Sequence, residues 1–214
     1  MKSICLIETP FHEKFGAPRQ SRLVQEAWGK MVFPKDDFYS EAFRGVESVS
    51  HLWLIFEFHL VETTVALVRP PRFEGKKKLG IFATRSPHRP NKLGLSVVKF
   101  EKIEYADVIT LFVSGVDLVS GTPILDIKPY VPYVDSIPEA KNDMFSNPPE
   151  KLKVDWRCPK ANCASLIESV ICLDPRPGHN KSKEEFAVSI AGLNVRFAEE
   201  DGVFIVLSCD RISE

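Results

Sequence analysis

Between residues 79 and 130 the β-prone runs come so close together that no helix of useful length fits between them. They cover residues 80–84, 95–103, 108–114, 116–119 and 124–130, with a turn signal at Ser120-Gly121-Thr122-Pro123. Earlier runs at residues 3–8, 52–58 and 63–68 have the same short length. Strands at this spacing predict a β-barrel or strongly curled sheet, because a closely connected series of strands must curl to cover its apolar face. Residues 52–58 are apolar throughout, which predicts a central strand buried on both faces. Residues 23–28 read as a short helix. Residues 29–45 read as irregular, with a helical turn around 41–43. No G-x-G-x-x-G opens a helix after a strand, so a doubly wound nucleotide fold is not expected.

The most distinctive stretch is L-G-I-F-A-T-R-S-P-H-R-P-N-K-L-G-L-S-V-V, residues 79–98. It reads as strand, basic loop, strand. Pro87 and Pro90 fix φ at two places, and Gly94 allows close approach or a positive φ. Arg85 and Arg89 are therefore predicted to stand on a rigid frame, where their guanidinium forks suit carboxylate or phosphate. A solvated turn stiffened by its prolines is the plainer alternative. The wider charge pattern favours an anionic partner. Residues 69–99 hold nine Lys and Arg against Glu74 alone, a net of +8, while the whole chain is −1 and the remainder −9. A basic block in a near-neutral protein is the footprint of a phosphate-bearing partner.

A second motif, D-I-K-P-Y at residues 126–130, puts Asp126 and Lys128 on one strand face, since i and i+2 point the same way. Asp126 can accept hydrogen bonds from a ribose or an amino group, Lys128 can pair with an anion, or the two can pair with each other. Pro18-Arg19-Gln20 lies in a polar loop, where Arg19 is suited to an anion and Gln20 to an adenine edge, or both to solvent. His51 and His59 bracket the apolar strand and read first as structural hydrogen-bonders.

Residues 136–150 are polar and proline-rich and read as a linker. This divides the chain into a barrel domain (1–135) and a small α+β domain (151–214). The second domain is predicted to hold one amphipathic helix, marked by Cys163, Ile167, Val170 and Ile171. A three-stranded meander follows over 186–190, 193–197 and 203–207, with a turn at 199–202. So small a core is expected to lean on the barrel. Between helix and meander, D-P-R-P-G-H-N-K (174–181) again frames an arginine, Arg176, with prolines. Five scattered cysteines fit a reduced cytoplasmic protein. The spacing of Cys158 and Cys163, with no paired His, gives no zinc signature, so no metal is expected. No 18-residue apolar run or export signal is present, so no membrane span is expected.

The ordered motif G-I-F-A-T-R-S-x-x-R-P-N-x-L-G resembles the signature of the TsaA-like family. His88 stands where that family usually has Phe, and Lys92 where Pro is common. Pro18-Arg19-Gln20 and D-I-K-P-Y match as they stand, and D-P-R-P is characteristic of the longer two-domain members. The resemblance implies an S-adenosylmethionine-dependent methyltransferase acting on N6 of threonylcarbamoyl-adenosine at position 37 of the tRNA anticodon loop, working as a homodimer. It implies methyl-donor contacts at Pro18, Arg19, Gln20, His59, Leu60, Arg85, Leu95, Asp126, Ile127, Lys128 and Pro129. Arg89, Asn91 and Arg176 are then candidates for tRNA phosphate or the threonyl carboxylate. Asp126, Lys128 and Tyr130 are candidates to assist proton removal. Two other classes share these features: a non-catalytic module that binds a nucleoside or RNA and regulates a partner, and a structural RNA-binding barrel.

Overall fold

The computed structural model describes residues 1–70, 77–176 and 184–212. Six antiparallel strands form a closed barrel in the order β1-β2-β7-β6-β3-β8. They are β1 (Cys5–Glu8), β2 (Trp28–Pro34), β3 (His51–Glu57), β6 (Leu93–Tyr105), β7 (Val108–Ser114) and β8 (Thr122–Pro129). The barrel closes where Cys5 pairs with Ile124 and Ile7 with Thr122. Closure removes the exposed edges that an open sheet of these strands would carry. Ile7, Met31, Phe33, Leu54, Ile109, Leu111, Val113 and Ile124 fill the interior with almost no solvent exposure.

β3 corrects the expectation of burial on both faces. Leu52, Leu54 and Phe56 point inward and are buried, while His51, Trp53, Ile55 and Glu57 are half-buried on the outside. A barrel wall has only one packed face. The outer one is covered locally where the Trp53 indole donates to Asp135 of α2 (Pro132–Asp135) at 2.9 Å. β2 lies in a stretch that reads as irregular. Its inward row is Gly29, Met31 and Phe33. Gly29 weakens the apolar signal because the lumen has no room there: a Cβ would come within 2.8–2.9 Å of Ile7, Val113 and Val116. α1 (Asp37–Ala42) follows β2, with the Asp36 side chain accepting from the Tyr39 N–H.

Four further local expectations change. The expected helix at 23–28 does not form: residues 23–26 are turns and bends and Trp28 opens β2, with Arg22 at φ 66° and Val24 and Ala27 buried in the core. Residues 63–68 contribute only β4 (Leu67–Val68), which pairs with β5 (Leu79–Gly80) in a two-stranded ribbon outside the barrel. The expected strand at 80–84 ends there, because Ile81–Ala83 winds into a 3₁₀ turn closed by the Thr84 hydroxyl, which donates to Ile81 O at 3.0 Å. Residues 116–119 form no strand: the chain leaves β7 at Gly115 (φ 74°) and turns Val116 and Leu118 inward.

The C-terminal part is a four-stranded sheet, β10-β11-β12-β9, packed with α3 (Ala164–Ile171). β10 (Phe186–Ile190), β11 (Leu193–Glu200) and β12 (Val203–Arg211) are the meander. Its two hairpins turn on Ala191-Gly192 and Asp201-Gly202, all with positive φ, as tight two-residue turns require. The fourth strand, β9 (Lys153–Trp156), runs parallel to β12 and has only four residues, too few to announce itself. No helix or strand occupies 136–150.

Barrel and C-terminal sheet share one apolar core, which joins Phe11, Val24 and Ala27 to Ile167, Val188, Phe197 and Phe204. Gly16 marks a close approach: a Cβ there would lie 2.6 Å from Ser189 O. Among the described residues no helix is long and apolar enough to cross a membrane.

Candidate active site

The loop at 18–22 is tied down residue by residue. Pro18 is buried. Arg19 Nη2 donates to the carbonyls of Asp174 (3.2 Å) and Arg176 (3.5 Å). Gln20 Oε1 accepts from Arg85 Nη1 at 2.5 Å. The Ser21 N–H donates to Asp117, and the Arg22 N–H to Gly115 O at 2.8 Å. The structure thus joins Gln20 and Arg85, 65 positions apart in sequence, through a side-chain bond. Arg19, suited by sequence to an anion, holds the C-terminal domain instead.

Arg85 is exposed, and its Nε and Nη2 have no hydrogen-bond partner among the described residues. Behind it lies Asp117, which the sequence reading passed over. The turn after β7 brings Asp117 to Ser96 of β6, 21 positions earlier in the chain. The Ser96 hydroxyl donates to Asp117 Oδ1 at 2.7 Å. Burial pushes the Asp117 carboxyl up to about 6, opposed by the bond from Ser96, by backbone bonds that include Ser21, and by the Arg85 charge. The signal was a serine at an inward strand position and a lone aspartate between buried valine and leucine.

Arg89 does not stand out as a second fork. Its Nη1 donates to Thr84 O (2.8 Å) and Ile81 O (3.3 Å), and its guanidinium sits 5.8 Å from the Phe82 ring centroid. It holds the 3₁₀ turn in shape and so presents Arg85. Asn91 is exposed in the same loop, and Lys92 adopts φ 52°. Gly94 serves close approach, since a Cβ there would lie 2.2 Å from the Phe56 ring.

The other predicted residues meet on the outer wall. Across β6, β3 and β8 the register aligns Leu95, Ile55 and Asp126 in one row, and Val97, Trp53 and Lys128 in the next. A bulge makes this possible. Phe56 pairs with Ile124 and Ile55 with Asp126, leaving Leu125 as an extra residue. Without it, alternation from the inward Ile124 would turn Asp126 into the lumen. With it, Asp126 and Lys128 face outward. Asp126 Oδ1 accepts from the Ile127 N–H at 2.9 Å, and no Asp126–Lys128 ion pair forms among the described residues. Tyr130 packs against Trp53 (5.9 Å) and His51 (6.4 Å). His59 and Leu60 follow β3 and are exposed. Consecutive residues Ser96 and Leu95 point to opposite faces of β6, so the Ser96–Asp117 bond lies on the inner face and the Leu95–Asp126 row on the outer one.

Arg176 departs most from its expected role. It is only 5% exposed. Nε and Nη2 grip the Asp174 carboxylate at 2.6 and 3.0 Å, and Nη1 donates to Glu199 at 2.5 Å. Its guanidinium also lies 4.9 Å from the Phe204 ring and 5.5 Å from that of Phe186. All three nitrogens are engaged within the domain, so this arginine is not offered to tRNA phosphate. The remainder of its motif, 177–181, lies outside the described residues, as do Arg72, Glu74 and Lys76 of the basic block.

The family model for the tRNA-methyltransferase O N-terminal domain matches residues 6–136, and that for the TrmO C-terminal domain matches residues 146–212. The chain belongs to the TrmO family. It is 34% identical over 229 residues to the Escherichia coli tRNA (adenine(37)-N6)-methyltransferase, covering 98% of this chain and 97% of that protein. It is 41% identical over 169 residues to the enzyme of the same name from Eikenella corrodens, covering 74% and 96%. The crystal structure of TrmO from Pseudomonas aeruginosa superposes with a TM-score of 0.80 at 34% identity, covering 97% of this chain and 96% of that one. The TrmO relationship agrees with the TsaA-like resemblance and with the closed barrel.

The residues present suit the methyl donor of such an enzyme. S-adenosylmethionine carries a carboxylate, a ribose and an adenine. Arg85 has guanidinium nitrogens available, Asp126 has a second carboxylate oxygen without a protein partner among the described residues, and Leu95 and Ile55 give an apolar floor.

Proposed function

We propose that this chain transfers a methyl group from S-adenosylmethionine to N6 of threonylcarbamoyl-adenosine at position 37 of tRNA. The observation that carries the reading is the bulge in β8. It sets Asp126 and Lys128 outward in line with Ile55, Trp53 and Leu95. Membership of the TrmO family supports the methyltransferase class and the adenine-37 target.

When bound, the donor supplies a methyl on a cationic sulfur whose leaving group is a neutral thioether. No nucleophile or acid is therefore required of the protein, and alignment can recover on the order of 7–11 kcal/mol of barrier. In this reading Arg85 grips the methionyl carboxylate with the N–H groups that Gln20 leaves open. Asp126 accepts from the ribose hydroxyls, and Leu95 and Ile55 lie against the adenine. Pro18, His59, Leu60 and the backbone of Ile127 and Pro129 complete the surround. Asp126, Lys128 and Tyr130 stand on the strand tip where an acceptor N–H must lose its proton. Asn91 and the exposed lysines Lys77 and Lys78 are a donor and cations placed to receive the anticodon loop, which proteins read by stacking and base edges.

The barrel (1–135) carries the donor site in this scheme, with 136–150 as linker and 151–214 as the second domain. Leu6 (58% exposed) and Tyr133 (89%), at the β1-β8 side of the barrel, support pairing with a second copy of the chain. A tRNA substrate supports a cytoplasmic location.

Nucleoside mass spectrometry of tRNA from cells lacking the protein tests the function. The methylated nucleoside should be missing and its threonylcarbamoyl precursor retained. An unchanged nucleoside profile, with donor binding intact in calorimetry, would leave the non-catalytic module in its place.

A further inference from the structure

Arg176 is the only charged residue in the buried class among the described residues. Its bidentate grip on Asp174, which sits at φ 54°, locks the 174–176 turn. Glu199 on β11 and the rings of Phe186 and Phe204 fix the guanidinium from the sheet side. The turn therefore presents the carbonyls of Asp174 and Arg176 in a set geometry, and both accept from Arg19 Nη2. The residue next to Arg19 is Gln20, whose amide is oriented by its own bond to Arg19 O and whose Oε1 takes Arg85 Nη1. The loop's far end is held on the barrel side, at Ser21 by Asp117 and at Arg22 by Gly115.

We propose that the C-terminal domain is a positioning element for the methyl-donor pocket, acting through a relay from the Arg176-locked turn to Arg19, Gln20 and Arg85. The proposal rests on the reading of Arg85 as a donor contact. It gives Arg176 and Glu199 a part in donor affinity, although neither touches the donor. The physical reason is preorganisation. An exposed guanidinium has several rotamers of similar energy, and a partner amide held from two domains selects one before the donor arrives.

The test is calorimetric titration of the full-length protein with S-adenosylmethionine, alongside kinetics with tRNA. Glu199→Ala removes one anchor of Arg176 at a distance from the pocket. It should raise the donor Kd about three- to tenfold while kcat at saturating donor and the KM for tRNA stay within twofold. Glu199→Gln keeps an acceptor for Nη1 and should restore most of the affinity. Arg19→Ala should weaken donor binding at least as much, and the Arg19→Ala/Glu199→Ala pair should be no worse than Arg19→Ala alone, because both act through one clasp. If Glu199→Ala does not fold, Glu199→Asp, which shortens the arm by one methylene, takes its place. Unchanged donor affinity in the Glu199 variants, with Arg85→Ala impaired, would overturn the relay and leave the donor reading standing. A raised KM for tRNA with donor Kd unchanged would also overturn it, by making this face an RNA contact. Unchanged donor affinity in Arg85→Ala would remove the donor reading itself, and the relay with it.

Discussion

Replacing Gly94 with alanine should destabilise the barrel by about 2 kcal/mol. Gly94 is buried on β6 opposite Phe56 of β3, whose ring is only 3% exposed and stands edge-on to Phe58 at 5.1 Å. A Cβ at position 94 would lie 2.2 Å from two carbons of that ring and 2.8 Å from a third. Ordinary carbon contact needs about 3.5–4.0 Å, so the ring must retreat by roughly 1.3–1.8 Å into a filled interior. Overpacking of this kind costs about 1–3 kcal/mol, and the upper end applies because the displaced group is a buried aromatic. Against this, alanine reduces the entropy of the unfolded chain, worth about 0.4–1 kcal/mol. The net of about 2 kcal/mol corresponds to a fall of roughly 4–8 °C in midpoint for a chain of this size. Circular dichroism melts of wild type, Gly94→Ala, Phe56→Leu and the double variant would measure it. Phe56→Leu should relieve much of the alanine's cost, giving a coupling of about 1 kcal/mol or more. A Gly94→Ala melt within 1 °C of wild type, or a double variant whose losses simply add, would refute the steric argument.

Arg85→Ala should weaken S-adenosylmethionine binding roughly ten- to a hundredfold, as expected for losing a charge-assisted bond worth about 1.5–3 kcal/mol, with the melting profile preserved; calorimetry decides it. Asp126→Asn should raise the donor KM roughly tenfold, about 1.4 kcal/mol, with little change in the KM for tRNA in steady-state assays. Burial holds the Asp117 carboxyl at about 6 against an ordinary 3.8, so the folded protein keeps a proton between those values that the unfolded chain has lost. Its contribution is full below about pH 4 and is lost as pH rises through 6, a change on the order of 3 kcal/mol. Urea unfolding between pH 4.5 and 7.5 should therefore show stability falling as pH rises, and Asp117→Asn should flatten that slope; an equal slope in the variant would contradict the assignment. Glu101, Asp135 and Glu168 are held below their ordinary values by hydrogen bonds, chiefly from Ser114, the Val131 N–H and Lys160 respectively. Their stabilisation is present above their ordinary values and lost as pH falls and each is protonated, opposite in sign to the Asp117 effect.

The spacing of the β-prone runs was enough to predict a barrel, since runs without intervening helices can bury an apolar face only by curling. The helix at Cys163, Ile167, Val170 and Ile171 and the meander were equally legible, because their periodicity is local. So were the motifs: the loop at 79–98, Pro18-Arg19-Gln20 and D-I-K-P-Y are contiguous, and their chemistry can be read from residue type. β2 escaped notice because its inward row begins with a glycine that only a narrow lumen explains. β9 escaped because a four-residue strand gains its identity from a parallel neighbour about 50 positions away.

What the chain itself determined was the inventory: a closely spaced series of strands, which loops carry cations, which carboxylate and lysine share a strand tip. Only the tertiary structure decided where these point. A single bulged residue at Leu125 turns Asp126 and Lys128 out of the lumen, because side chains alternate with period two and one extra residue inverts every position after it. The partners of the arginines were likewise set by packing. Arg89 and Arg176 close on nearby carbonyls and a carboxylate, but Gln20 reaches Arg85 from 65 positions away and Glu199 completes the shell of Arg176 from β11, and no local pattern encodes those two partners.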